Sequence, residues 1–233
     1  MNSGDASLML LRWGHFLFGT AWIGLLYYFN FVQTPFFGET EAPVRLGAQQ
    51  KLLPRALWWF RWGAMGTVIL GLLYLLMWWA KLGFSMTPWA VEIWTGGAMG
   101  LLMWANVWFV IWPKQKIVIA NAVTVGAGGQ ANPAAAGAGR RAALASRTNT
   151  VFSIPMLFFM GAASHFNMFN EATSGGLMGW LIGCGAVLLA VELNALVGTQ
   201  GPTKKPLDSI QGTIVSGFVL WMVLVLIIHY TLA

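Results

Sequence analysis

The chain has 233 residues, 58% of them hydrophobic and only 9% charged. Soluble domains carry about 25% charged residues, so the composition excludes an ordinary soluble enzyme and points to an integral membrane protein. The formal net charge of +6 is spread over loops and forms no basic stripe, which argues against nucleic-acid binding and makes the charge a topology signal. Cys184 is the single cysteine and no CxxCH occurs, so an intrachain disulfide and a covalent c-type haem are excluded.

A helix needs about 20 apolar residues to cross a bilayer. Six stretches qualify, predicting an all-α polytopic bundle that forms a single integral membrane domain over residues 1–233. The first, Leu8–Val32, is too long for a signal sequence and no small-residue cleavage site follows it. The second, Leu57–Ala80, is entered through Pro54, Arg55 and Arg61. The third, Trp89–Trp112, is expected to end at Pro113, which lacks an N–H and clashes with the preceding turn. Residues 117–148 include 121-NAVTVGAGGQANPAAAGAGRRAALASR-147 and read as a flexible Ala/Gly-rich cytoplasmic loop, with room for helix at its start or end. The fourth stretch, Thr150–Phe169, takes Pro155 in its first turns, where proline is tolerated. Gly176–Val197 and Ile210–Leu232 are the fifth and sixth.

Eleven of the 13 basic residues fall in the odd-numbered loops: Arg45, Lys51, Arg55 and Arg61, then Lys114, Lys116, Arg140, Arg141 and Arg147, then Lys204 and Lys205. Arg12 and Lys81 are on the other side. The positive-inside rule then places these loops in the cytoplasm and both termini outside, in the periplasm of a Gram-negative host. Tryptophans near the span ends, such as Trp13, Trp58, Trp78, Trp89 and Trp112, suit interfacial belts.

With that topology His15, His165 and His229 lie at about one depth, on three different spans, near the outer leaflet. Arg12, His15, Gly19 and Trp22 share a helical face, and Gly161 precedes His165 by one turn. Glycine beside histidine leaves room for a flat macrocycle or for another backbone. Haem b, with axial histidines from two helices, fits this cluster, with His15 and His165 as the iron ligands expected and His229 as a further candidate. Copper or zinc held by imidazoles with Glu92 or a methionine is the other option. No HxxxH or HxxE pair supplies two ligands from one helix, and the surrounding glycines and aromatics favour haem. A lone interfacial histidine also serves as a snorkelling or hydrogen-bonded residue. Glu92 and Glu192 are the carboxylates of the apolar runs and the candidates for catalytic proton transfer, because ionisable groups cost about 2.5–3.5 kcal/mol at a helix centre on insertion scales. Glu92 also suits a helix N-terminus, where the dipole favours a carboxylate.

Four blocks carry a family resemblance: 12-RWGHFLFGTAWIG-24, 54-PRALWWFRWGA-64, 104-WANVWFVIWPKQK-116 and 146-SRTNTVFSIPMLFFMGAASH-165. Together they resemble the membrane domain of the bacterial membrane-bound urate oxidase (urate hydroxylase) family. The last block is the most specific, and the final two spans are similar only loosely. A weaker similarity, through H-x3-G-x2-W on the first span, runs to copper-resistance D and dihaem cytochrome b type bundles. The resemblance implies a bacterial inner-membrane oxidoreductase that oxidises urate, or a related small molecule, and passes electrons to a cytochrome c. In the family that cytochrome is fused C-terminally, outside the membrane. This chain carries no CxxCH, so a separate cytochrome c or respiratory-complex subunit is the expected partner, beside the lipid bilayer. Arg55, Arg61, Asn106, Gln115, Arg147 and Asn149 lie in the matching blocks on the cytoplasmic side, and are the expected urate-binding residues, since guanidinium suits a planar anion. The same basic residues would also serve topology and anionic lipid alone.

Two other functions fit the same residues. One is a non-catalytic haem-b or anchor subunit of a respiratory membrane complex. The other is a small-solute or metal-ion transporter, with Glu92, Glu192 and Asn194 along its path.

Overall fold

The computed structural model describes residues 3–166 and 168–232. Among them every regular element is helical. In chain order these are α1 (Ser3–Tyr27), a π-helical segment (Tyr28–Gln33), α2 (Thr34–Glu39), α3 (Ala42–Leu82), α4 (Pro88–Ala105), a second π-helical segment (Asn106–Ile111), α5 (Trp112–Gly126), α6 (Ala134–Ala162), α7 (Ser174–Leu196), a 3-10 helix (Pro202–Asp208) and α8 (Ile210–Leu232). Among the described residues four helices are long and apolar enough to cross a membrane: α3, the continuous run Pro88–Gly126, α7 and α8. Their outer faces expose large apolar side chains, among them Trp59, Leu76, Ile182 and Phe218. Such a surface suits contact with a lipid bilayer, and with the four apolar helices it marks a membrane protein.

The chain divides into two compact units: Met1–Gly83 with Trp104–Ser146, and Phe84–Met103 with Arg147–Ala233. In the first, α1 and α3 form an antiparallel hairpin. Trp22, Leu26, Phe60 and Ala64 are buried in its seam. Gly63 makes the close approach possible, since a Cβ there would lie 3.2 Å from the Trp22 amide nitrogen. An ion pair between Lys81 and Asp5 closes the far end. α5 packs on α3, where Gln50 Nε2 donates to the Ala122 carbonyl at 2.8 Å.

In the second unit Gly96 of α4 brings α6 close, with a Cβ there 3.3 Å from both Phe159 Cβ and Met160 Cγ. Gly217 of α8 does the same against Ile154, and Gly176 of α7 against the Thr231 carbonyl. Thr173 caps α7, its hydroxyl accepting from the Gly176 N–H at 3.1 Å. Phe152, Phe159, Leu224 and Ile228 fill this core.

Several boundaries differ from expectation, each for a physical reason. α3 starts at Ala42 and runs through Pro54. The buried stripe Leu53, Leu57, Phe60 and Ala64 carries the helix past the hydrogen bond that proline cannot make. Pro113 does not end its helix either. It stands in the first turn of α5, two residues after a π-helical segment, as Pro35 stands two residues after the other. The wider π turn relieves the clash of the proline ring with the carbonyl four residues back. The stretch 117–148 is helical except for residues 127–133. Alanine is the best helix former, Gly128 takes a positive φ of 81° at the turn, and Asn132 Oδ1 accepts the Ala134 N–H at 2.9 Å to start α6. α6 ends at Ala162, short of Phe169. Beyond it the Met168 N–H turns to the Glu92 carboxylate.

Candidate functional site

The first unit collects polar side chains at one level. Gly139 of α6 sits over Val118 of α5, where a Cβ would lie 3.7 Å from Cγ2. The Asn132 N–H donates to Asn121 Oδ1 at 2.7 Å, so α6 runs back antiparallel along α5. Ser146 is seven residues past Gly139 and therefore level with Ile111, seven before Val118. Asn30, in the first π-helical segment, donates through Nδ2 to Ser146 Oγ at 2.8 Å and to the Leu26 carbonyl at 2.8 Å. Phe29 beside it meets Phe60 edge-on, ring centroids 5.3 Å apart. Arg61 follows Phe60 and lies over the Trp112 ring, its Cζ 3.5 Å from the centroid, with Trp108 at 5.5 Å. Both π-helical segments thus come to the level of Arg61.

One turn further along each helix stands a glutamine. α1 is antiparallel to α3, and α3 to α5, so α1 and α5 run parallel and Gln33 and Gln115 advance in the same direction. Gln33 is buried, 7% exposed. The Oε1 atoms of Gln33 and Gln115, and the Nε1 atoms of Trp104 and Trp108, are buried with no hydrogen-bond partner among the described residues. Buried polar atoms left unpaired cost about 1–3 kcal/mol each, and each calls for an explanation.

Of the six expected substrate residues, Arg61 lies over Trp112, Gln115 follows Trp112 by one turn of α5, and buried Asn106 stands two residues before Trp108. Arg55 is exposed. Arg147 and Asn149 belong to the second unit and are buried there. Arg147 Nη1 donates to Thr213 Oγ1 at 3.4 Å, and Asn149 Nδ2 to the Met103 carbonyl at 2.9 Å.

The histidines differ from one another. His15 Nδ1 lies 2.8 Å from the Thr67 carbonyl, with Gly71 under the ring. A carbonyl only accepts, so Nδ1 carries a proton, and in the neutral imidazole Nε2 then keeps its lone pair. His165 and His229 are in the second unit, both exposed, and His229 meets Tyr230 edge-on. Among the described residues no group of three or more His, Cys, Asp or Glu converges; bis-histidine haem needs only two ligands. Glu92 is 1% exposed, and its Oε1 accepts the Met168 N–H at 3.2 Å. Its Oε2 is buried with no partner among the described residues. Glu192 is buried on α7, and Asn194 accepts from Lys204 Nζ at 2.9 Å.

A family model described as urate oxidase N-terminal matches residues 78–228. The chain belongs to this family. The match takes in the blocks 104–116 and 146–165 and nearly all of the last two apolar helices, which the resemblance reached only loosely. Blocks 12–24 and 54–64 precede it. Glu92, Asn106, Gln115, Arg147, Asn149, His165 and Glu192 lie inside the matched range, while His15, Arg55, Arg61 and His229 lie outside. No curated protein and no solved structure matches the chain.

Asn30, Gln33, Trp108 and Ser146 were not singled out from the sequence. A signal was present: 31-FVQTP-35 and 109-FVIWP-113 repeat one pattern, and each stands at a π-helical segment with a buried asparagine.

Proposed function

We propose that this chain is the membrane-embedded oxidoreductase part of a urate oxidase system. It oxidises urate, or a closely related small molecule, and delivers the electrons to a cytochrome c. The family match over residues 78–228 carries this reading. In the proposed reaction urate loses two electrons and two protons, and water supplies the oxygen of the hydroxylated product. Cytochrome c is the oxidant. Six spans with both termini outside, in a bacterial inner membrane, complete the arrangement.

Arg61, stacked on Trp112, supplies a fixed positive charge for the urate anion, and its planar fork orients it. Asn106 and Gln115 add hydrogen-bonding amides. Glu92 and Glu192 are the carboxylates for proton transfer. Haem b, as the relay to the cytochrome, would accept single electrons. His15, whose Nδ1 is held by the Thr67 carbonyl, and His165 are the residues proposed to hold it.

Visible spectra of the purified protein test this, taken as isolated, after urate under argon, and after dithionite. A b-type spectrum reduced by urate is the expected result. Reduction by dithionite alone would favour the electron-relay subunit, and absence of haem would overturn the histidine assignment. His15→Ala should abolish the low-spin spectrum, and unchanged haem content in that variant would remove His15 as a ligand.

A further inference from the structure

We infer that Gln33, with Gln115 and Trp108, reads the lactam edges of a planar heterocycle, and so sets ligand specificity in the first unit. The inference rests on the functional reading above for the identity of the ligand, and on geometry for the residues. Gln33 and Gln115 present buried carboxamide oxygens that accept no hydrogen bond among the described residues. Trp108 presents a buried indole N–H that donates none. Two acceptors and one donor form the complement of a ring bearing N–H and C=O groups in alternation.

Around them are the means to hold such a ring. Trp108 and Trp112 supply flat apolar faces, and the Arg61 guanidinium over Trp112 supplies the charge an anionic lactam needs. The facing stretch of α6 has buried Ala142 and Ala145. By the antiparallel register of α5 and α6, Ala142 is level with Gln115. By the Asn30–Ser146 bond it is also about level with Gln33.

Asn30 marks the contrast. It stands one turn from Gln33 on the same π-helical segment, and its amide is spent on Leu26 and Ser146. Asn30 holds the frame, and Gln33 faces the ligand. A π-helical segment re-aims side chains relative to the helix before it, and such segments recur at functional sites.

A site that hydrogen-bonds an N–H rejects the analogue lacking it, because its acceptor is then left buried and unpaired. The test is equilibrium dialysis of the purified full chain in nanodiscs against urate, xanthine and a set of singly N-methylated urates. The wild-type protein should bind at least one N–H lactam, and methylation at one or more ring nitrogens should weaken binding about tenfold or more. Gln33→Leu should weaken the N–H ligand by a similar factor and erase most of the penalty for the methylated one. Gln115→Met is the independent variant should Gln33→Leu fail to fold, with thermal unfolding as the check. Binding of xanthine but not urate, lost in Gln33→Leu, would sustain the inference while removing urate as substrate. Equal binding of N–H and N-methyl ligands by the wild type, or full affinity in both variants, would overturn it. So would the absence of binding by any of these heterocycles.

Discussion

The two units treat their buried polar groups differently. In the second, most are paired at short range: Asn149 with the Met103 carbonyl, Trp180 with Thr95, Ser153 with the Thr150 carbonyl, and Lys204 with Asn194. In the first, Gln33, Gln115, Trp104 and Trp108 each hold a buried atom without a partner among the described residues. Paired groups in an apolar bundle fix helix position, and unpaired ones await something that completes them. The second unit has its own exceptions in Glu92 Oε2, Thr148 Oγ1 and Trp221 Nε1, and Glu92 is the one among them that can carry a proton.

The largest effect expected is on turnover, from Glu92→Gln. The amide oxygen can still accept the Met168 N–H, so the fold should hold. The site for a proton is gone, and urate-driven reduction of cytochrome c should fall about a hundredfold. A variant with full turnover would make Glu92 an anchor for the chain beyond α6 and nothing more. Next in size is Asn149→Leu, in the paired region. It strips the Met103 carbonyl of its side-chain donor inside a 0%-exposed position and should cost about 2 kcal/mol. Thermal unfolding in detergent measures it, and a neutral result would break the assignment of Asn149 to structure, returning it to the candidate substrate residues.

Arg61→Lys tests the unpaired region. Lysine keeps the charge but loses the flat face that lies on Trp112. Urate affinity should drop about tenfold, with stability shifted by less than about 1 kcal/mol. If stability alone changed, Arg61 would be a packing residue of the α3–α5 contact.

The sequence was most readable where chemistry is averaged over many residues. Low charge and long apolar runs gave the helical membrane class, and the block Ser146–His165 gave the family. It was least readable where one residue overrides a rule. Pro54 and Pro113 read as helix boundaries, yet buried packing carries one and a π turn absorbs the other. The Ala/Gly stretch read as a loop because glycine is frequent there, while its alanines form helix on both sides of 127–133. Among the residues proposed for the site, Arg61, Asn106 and Gln115 came from the motif blocks. Gln33 was not, because a single amide in an apolar span has no periodic pattern to reveal it, and its burial depends on partners remote in sequence.

The smallest effect expected sharpens the comparison most. Trp180 and Trp108 both hold a buried indole nitrogen, but Trp180 Nε1 donates to Thr95 Oγ1 at 3.0 Å while Trp108 Nε1 donates to nothing among the described residues. Phenylalanine keeps most of the ring in either place. Trp180→Phe should therefore lose about 1 kcal/mol of stability and leave ligand affinity alone. Trp108→Phe has no internal hydrogen bond to lose, and its edge contact with Trp62, at 5.8 Å between centroids, survives in kind. Its stability should change by only a few tenths of a kcal/mol, while urate binds more weakly for want of a donor. Thermal melts and dialysis on the two variants give opposite patterns if unpaired means ligand-facing. Matching patterns would show that the missing partner at Trp108 is a feature of packing alone.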